Sequence, residues 1–123
     1  MKAQVEEALM ALAHDVGADT VTDLIDLYVV DAPRHVADIR RALTNRDANG
    51  LRRSAHTLKS TAATVGALPL AEVCKDIERL AREGKLDEVA PLLNMLAQLD
   101  GESRTAAVAL QPQFAAAALA ENR

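Results

Sequence analysis

Aromatic side chains are almost missing from this chain: Tyr28 and Phe114 are the only two, and there is no tryptophan. Nothing can act as a stacking platform for bases. No block of lysine and arginine compensates, because 14 basic and 18 acidic residues are mixed along 123 positions for a net charge of −4. Nucleic-acid binding is poorly supported by that balance. The single cysteine, Cys74, cannot form an internal disulfide, and a reducing cytoplasm is the expected compartment. No apolar run approaches the roughly 20 residues that span a bilayer. The N-terminal MKAQVEEALMALA carries acids where a signal peptide needs a continuous apolar segment. No membrane association is expected.

Common catalytic signatures are absent too. There is no G-x-G-x-x-G, and Gly84-Lys85 lacks both the earlier glycine and the following hydroxyl of a phosphate-binding loop. The Glu-x-x-His pair of di-iron bundles is missing. No Gly-x-Ser-x-Gly turn presents a serine nucleophile. His35, near Asp31 and Asp38, is one histidine among scattered acids, which does not make a metal site, and no metal ligand set is expected. His14 sits where a last helical turn tolerates positive charge.

What the chain does have is alanine, leucine and helical periodicity. Half its residues are hydrophobic, and no period-two alternation appears. Val5, Leu9 and Leu12 mark a helix over 2–13. Val21 to Val29 mark a second, to about residue 31. Val36, Ile39 and Leu43 mark a stretch over 33–45, where Pro33 either starts a new helix or kinks a longer one. Asp47 suits the N-cap of the next helix and Gly66 its left-handed end. Pro69 opens another, whose stripe runs Leu70, Val73, Cys74, Ile77, Leu80 and Ala81, so Cys74 is a core residue. Gly84 stops it. Asp87 is a candidate N-cap for the last long segment, in which Val89, Leu92, Leu93, Leu96 and Leu99 form the core face and Gly101 is a candidate interruption. Gln111-Pro112 breaks the pattern. The expected fold is all-α: an antiparallel up-and-down four-helix bundle with additional short helices. One domain is expected over 1–112, followed by an alanine-rich tail over 113–123 that frays. Leu58, Val73, Ile77, Leu93 and Leu96 are the expected core.

The stretch Leu51 to Gly66, LRRSAHTLKSTAATVG, organises the rest. Its apolar stripe is Leu51, Ala55, Leu58, Ala62 and Val65. At 100° per residue, His56 lies about 140° from the centre of that stripe and faces outward. Lys59 and Ser60 are its neighbours one turn on, and the small Ala63 and Ala67 keep the surface around it clear. Positions 52 and 53 are arginine, so no acid at helical spacing holds an imidazolium. Positive neighbours favour the neutral, nucleophilic ring over general acid–base duty, and would stabilise an arriving phosphoryl group.

The run Ala55-His56-Thr57-Leu58-Lys59-Ser60, with Gly66 ten residues after the histidine, resembles the signature of histidine phosphotransfer (HPt) domains. The flanks YVVDAP (28–33), 47–53 and 71–80 resemble it as well, and the similarity covers about 19–110. The resemblance implies a protein that relays a phosphoryl group between receiver-domain aspartates in a two-component phosphorelay. His56 is then the phosphoacceptor through its outer ring nitrogen, and Lys59 stabilises the phosphoryl oxygens. Ser60 stands where the family most often has glycine and leaves room for the group or donates a hydrogen bond to it. Gly66 is structural, and Arg52, Ala63 and Ala67 belong to the docking face. The implied partners are response-regulator receivers and a (hybrid) histidine kinase, with Mg²⁺ supplied by the receiver and no cofactor on this chain. It would be a monomeric transfer intermediate without autonomous kinase activity. The alternative is a bundle that docks on a receiver or kinase and regulates it without carrying phosphate; such a module does not require His56.

Overall fold

The computed structural model describes residues 1–121. Five α-helices follow one another: α1 (Lys2–Val16), α2 (Ala18–Thr44), α3 (Ala48–Thr64), α4 (Leu68–Arg82) and α5 (Leu93–Glu121). Two 3₁₀ turns, Leu86–Glu88 and Ala90–Leu92, link α4 to α5. Helices α2 to α5 pack in a closed ring, α2 on α3, α3 on α4, α4 on α5 and α5 on α2. This is the expected four-helix bundle. Helix α1 lies against α2 and α5. The core runs its length, with Ile25, Ile39, Leu51, Leu58, Ile77 and Leu96 all fully buried.

Helix ends are set by short-range chemistry. The Asp47 side chain accepts the Gly50 N–H at 2.9 Å and caps α3. Three helices close by the same device, in which the second residue past the C-cap donates back to the last turn. In α2 the Asp47 N–H reaches the Ala42 carbonyl at 2.8 Å, in α3 Ala67 reaches Ala62 at 2.8 Å, and in α4 Lys85 reaches Leu80 at 2.9 Å. Each closure puts one residue at positive φ: Arg46, Gly66 and Gly84. Asp47 therefore ends one helix and begins the next, which leaves α2 and α3 no slack at their junction.

Pro33, which the sequence leaves open as a helix start or a kink in one long helix, and Pro112, which it marks as a break, both sit inside continuous helices. Pro33 lies within α2, because Ile25, Tyr28, Ala32, Val36 and Ile39 carry one buried stripe across it. Pro112 does not end α5, and the alanine-rich segment is not a frayed tail through residue 121. Ala107, Leu110 and Phe114 continue the buried stripe, and Gln111 donates to the Thr22 carbonyl at 3.2 Å and to Asp26 at 2.7 Å on α2. The Glu121 carboxylate accepts the first N–H of α2, from Ala18, at 3.3 Å. Packing over several turns outweighs the hydrogen bond each proline removes. Asn122 and Arg123, the end of the expected tail, lie outside the described residues. Gly101 is likewise inside α5. Asp87 caps no helix; it lies in a 3₁₀ turn and pairs with Arg46 at 2.7 Å. Leu93 is only partly buried, because α5 starts at that residue and one side of its first turn is open.

Gly66 and Gly84 have nearly the same backbone, φ +79° and +73°, in different surroundings. A Cβ at Gly66 would collide with the Gln4 carbonyl and the Ala8 side chain of α1, whereas a Cβ at Gly84 meets nothing within 4 Å. Gly84→Ala should therefore cost about 1–2 kcal/mol, the left-handed penalty alone. Gly66→Ala should cost about 1–3 kcal/mol more, because α1 must shift to make room. Urea denaturation of both variants checks this; equal losses would mean that α1 does not rest on Gly66.

Candidate functional site

Helix α3 is buried along Leu51, Ala55, Leu58 and Ala62, which turns His56 to the outside. Its side chain is 60% exposed. Ser60 and Ala63, on the same face, are also exposed, and Arg52 is exposed one turn before. Lys59 is half-buried on the side of α3 that faces α4. Of the residues expected near the ring, the structure brings together His56, Lys59, Ser60, Ala63 and Arg52. Ala67 does not join them. It is fully buried, because the positive φ of Gly66 turns the chain out of the helix and helical extrapolation past that point fails. Gly66 itself stands at positive φ with α1 packed against it.

The acid missing from the histidine's own helix comes from α4. Glu78 Oε2 lies 2.9 Å from His56 Nδ1. Glu78 Oε1 accepts hydrogen bonds from Lys59 Nζ at 3.1 Å and from Arg82 Nη2 at 3.2 Å. The Glu78 side chain is only 8% exposed, so all three donors meet a carboxylate that water hardly reaches. Burial alone would push that carboxyl up, but the hydrogen bonds from Lys59 and His56 outweigh it and hold the carboxyl below its ordinary 4.5.

A carboxylate only accepts, so His56 Nδ1 carries the hydrogen. In the neutral ring the lone pair is then on Nε2, the nitrogen turned away from Glu78. The neutral form of the ring offers a nucleophilic Nε2 on an open helix face, with its tautomer set by a partner on another helix. Glu78 and Arg82 are not legible as site residues from the apolar stripe of α4, which runs Leu70, Val73, Cys74, Ile77, Leu80 and Ala81. The available signal was the flank of that stripe. Ala71, Cys74, Glu78 and Ala81 are spaced +3, +4, +3, and an acid among such small residues must have a partner across the interface.

Cys74, Tyr28, His14 and His35 make no hydrogen bond to the Glu78 cluster. Cys74 is fully buried, and burial pushes its thiol up to about 12, as befits a core residue. Burial pushes the Tyr28 phenol to about 12 as well; its hydroxyl bonds to Ser103 Oγ at 2.7 Å, which in turn donates to the Asp100 carbonyl. His14 is exposed at the end of α1, and His35 is half-buried on α2.

A family model described as Hpt domain matches residues 23–117. The phosphorelay protein LuxU of Vibrio vulnificus, in strains YJ016 and CMCP6, is 27% identical over 95 residues, spanning 76% of this chain and 83% of the relative. The crystal structure of histidine-containing phosphotransfer protein B (HptB) from Pseudomonas aeruginosa PAO1 superposes with a TM-score of 0.81 at 27% identity. It covers 87% of this chain and 92% of that one.

The depressed Glu78 carboxyl links the site to stability. A group whose folded value lies below its ordinary one stabilises the fold fully above the ordinary value, and that contribution is lost as pH falls through the folded value. Wild type should therefore be more stable than Glu78→Gln at pH 7, and the gap should close as pH falls below 4.5. Urea denaturation of both proteins between pH 7 and about pH 3 measures it. A gap that does not change with pH would show that the charge of Glu78 is not what the fold holds.

Proposed function

The chain belongs to the Hpt domain family and is a histidine phosphotransfer protein of a phosphorelay; from that premise we propose that His56 carries the phosphoryl group, on Nε2. The observation that carries this reading is the Glu78–His56 hydrogen bond, which leaves the Nε2 lone pair free on an exposed helix face. The lone pair attacks phosphorus, the N–P bond forms and the bond to the donor's aspartate oxygen breaks. The ring gains positive charge as it does so, and the Nδ1–H bond to Glu78 offsets it. In the onward step an acceptor aspartate oxygen forms its bond to phosphorus and the electron pair returns to Nε2.

Phosphoryl transfer depends on positioning and charge neutralisation more than on covalent machinery. This chain supplies the nucleophile and the Lys59 ammonium. Beside His56 stand cations and one carboxylate already shared by three donors, a donor set unsuited to Mg²⁺. The metal belongs to the partner receivers, and no cofactor is assigned to this chain. The partners are response-regulator receiver domains and a histidine kinase, and the protein acts as a cytoplasmic monomer without kinase activity of its own. Among the described residues no helix is long and apolar enough to cross a membrane. Docking falls on the open face around Ser60 and Ala63. Beside it, between α2 and α3, lies an apolar recess of about 180 Å³, lined by Leu24, Leu27, Thr61 and Thr64 among others.

When the protein is phosphorylated through its kinase and receiver, His56→Gln should take no label, while His14→Gln and His35→Gln take it fully. The label should be acid-labile and alkali-stable, as a phosphoramidate is. Label retained by His56→Gln would end the assignment and place the acceptor on another side chain, whereas a wild type that takes no label would favour a docking module that carries no phosphate.

Charge and docking separate kinetically. Lys59→Ala removes a charge-assisted hydrogen bond worth about 1.5–3 kcal/mol and should lower the saturating transfer rate roughly 10- to 100-fold. Ala63→Arg should leave helicity intact and mainly raise the receiver concentration required. Unchanged receiver affinity with an intact circular dichroism spectrum would place docking on another face.

A further inference from the structure

Glu78 is held by more cations than its charge requires. One oxygen faces the His56 ring, and the other accepts from both Lys59, across the interface on α3, and Arg82, one turn further along α4. The two cations are placed differently. Lys59 Nζ and the ring meet the same carboxylate, so the ammonium already lies beside the imidazole, on a flexible four-carbon stem. Arg82 is tied to Glu78 at i,i+4 on the same helix, and its side chain is 63% exposed.

A phosphoryl group on Nε2 brings negative charge to the mouth of the site, and the mobile ammonium is the nearest donor able to turn toward it. If Lys59 were the only donor to Glu78 Oε1, that turn would strand a nearly buried carboxylate oxygen without a partner, which is costly for a charged group. The second cation removes the obstacle. We propose that Arg82 is a positioning residue: it keeps Glu78 seated on His56 Nδ1 while Lys59 passes from Glu78 Oε1 to the phosphoryl oxygens. This rests on His56 being the acceptor. Arg82 touches neither the reacting nitrogen nor the phosphoryl group; it acts through Glu78 and by freeing Lys59.

The test uses a donor with no docking surface, potassium phosphoramidate, so that loss of rate cannot come from lost receiver contacts. Nε2 forms its bond to phosphorus, the donor P–N bond breaks and the donor nitrogen leaves as ammonia, with the Nδ1 proton remaining on the ring. The reaction is followed at the His56 ring and at Lys59 Nζ by ¹⁵N NMR in wild type, Arg82→Ala, Arg82→Lys, Lys59→Ala and the Arg82→Ala/Lys59→Ala double variant. Arg82→Ala should slow phosphorylation about tenfold, and Arg82→Lys, which keeps the charge, should stay within about threefold of wild type. Lys59→Ala should cost much less in the Arg82→Ala background than in wild type, because there the lysine is already retained by Glu78. The Lys59 Nζ resonance should move on phosphorylation in wild type and stay in place in Arg82→Ala. Independent losses from the two variants, or an Arg82→Ala rate within about twofold of wild type, would overturn the hand-over while leaving His56 as acceptor. A His56→Gln control that reacts as fast as wild type would overturn the acceptor assignment, and the hand-over with it.

Discussion

A carboxylate placed where water hardly reaches it must be given donors, and the functional end of this bundle follows from that requirement. Glu78 lies in the interface between α3 and α4, and its three donors come from both helices. An unpaired buried charge costs several kcal/mol, and this one is compensated only when α3 and α4 are docked in one register. The same contacts that satisfy Glu78 therefore set the ring of His56, hold the Lys59 ammonium beside it and lock the two helices together. Orientation of the His56 ring and stability of the interface are a single set of hydrogen bonds.

The surroundings of α3 make that register reproducible. At one end, Asp47 closes α2 and caps α3 with a single residue. At the other, Gly66 turns the chain, and α1 comes so close that a methyl group would collide with it. Helix α3 is thus pinned at both ends, while its outward face carries only His56 and small or polar neighbours. A rigid presenting helix with an open face suits a protein that must offer one side chain in the same position to more than one partner.

Local signals and tertiary packing disagreed wherever a helix breaker met a continuous buried stripe. Gln111-Pro112 looks like a boundary, and Pro33 like either a boundary or a kink, because proline removes a backbone donor and crowds the preceding turn. Neither ends a helix here. Tyr28, Ala32 and Val36 on one helix, and Leu110 and Phe114 on the other, are buried on both sides of the proline. Where no such stripe continues, after Val65 and after Glu83, the glycine does end the helix as its local chemistry says. Ala67 fails in the opposite way. A helical wheel continued through Gly66 puts it on the open face, but the helix ends before that residue.

Periodicity within one element is a local property, so the sequence alone determined the all-helical class, the buried stripes, the caps at Asp47 and Gly66 and the outward turn of His56. The family signature around His56 was legible for the same reason, since it is confined to a few turns of one helix. What pairs with what across an interface depends on the rotation and register of two helices at once, and neither can be read from one of them. The tertiary structure alone decided that Glu78, 22 residues beyond His56, would supply the acid that α3 lacks, that Arg82 would share it with Lys59, and that the ring would be held through Nδ1 with Nε2 left free.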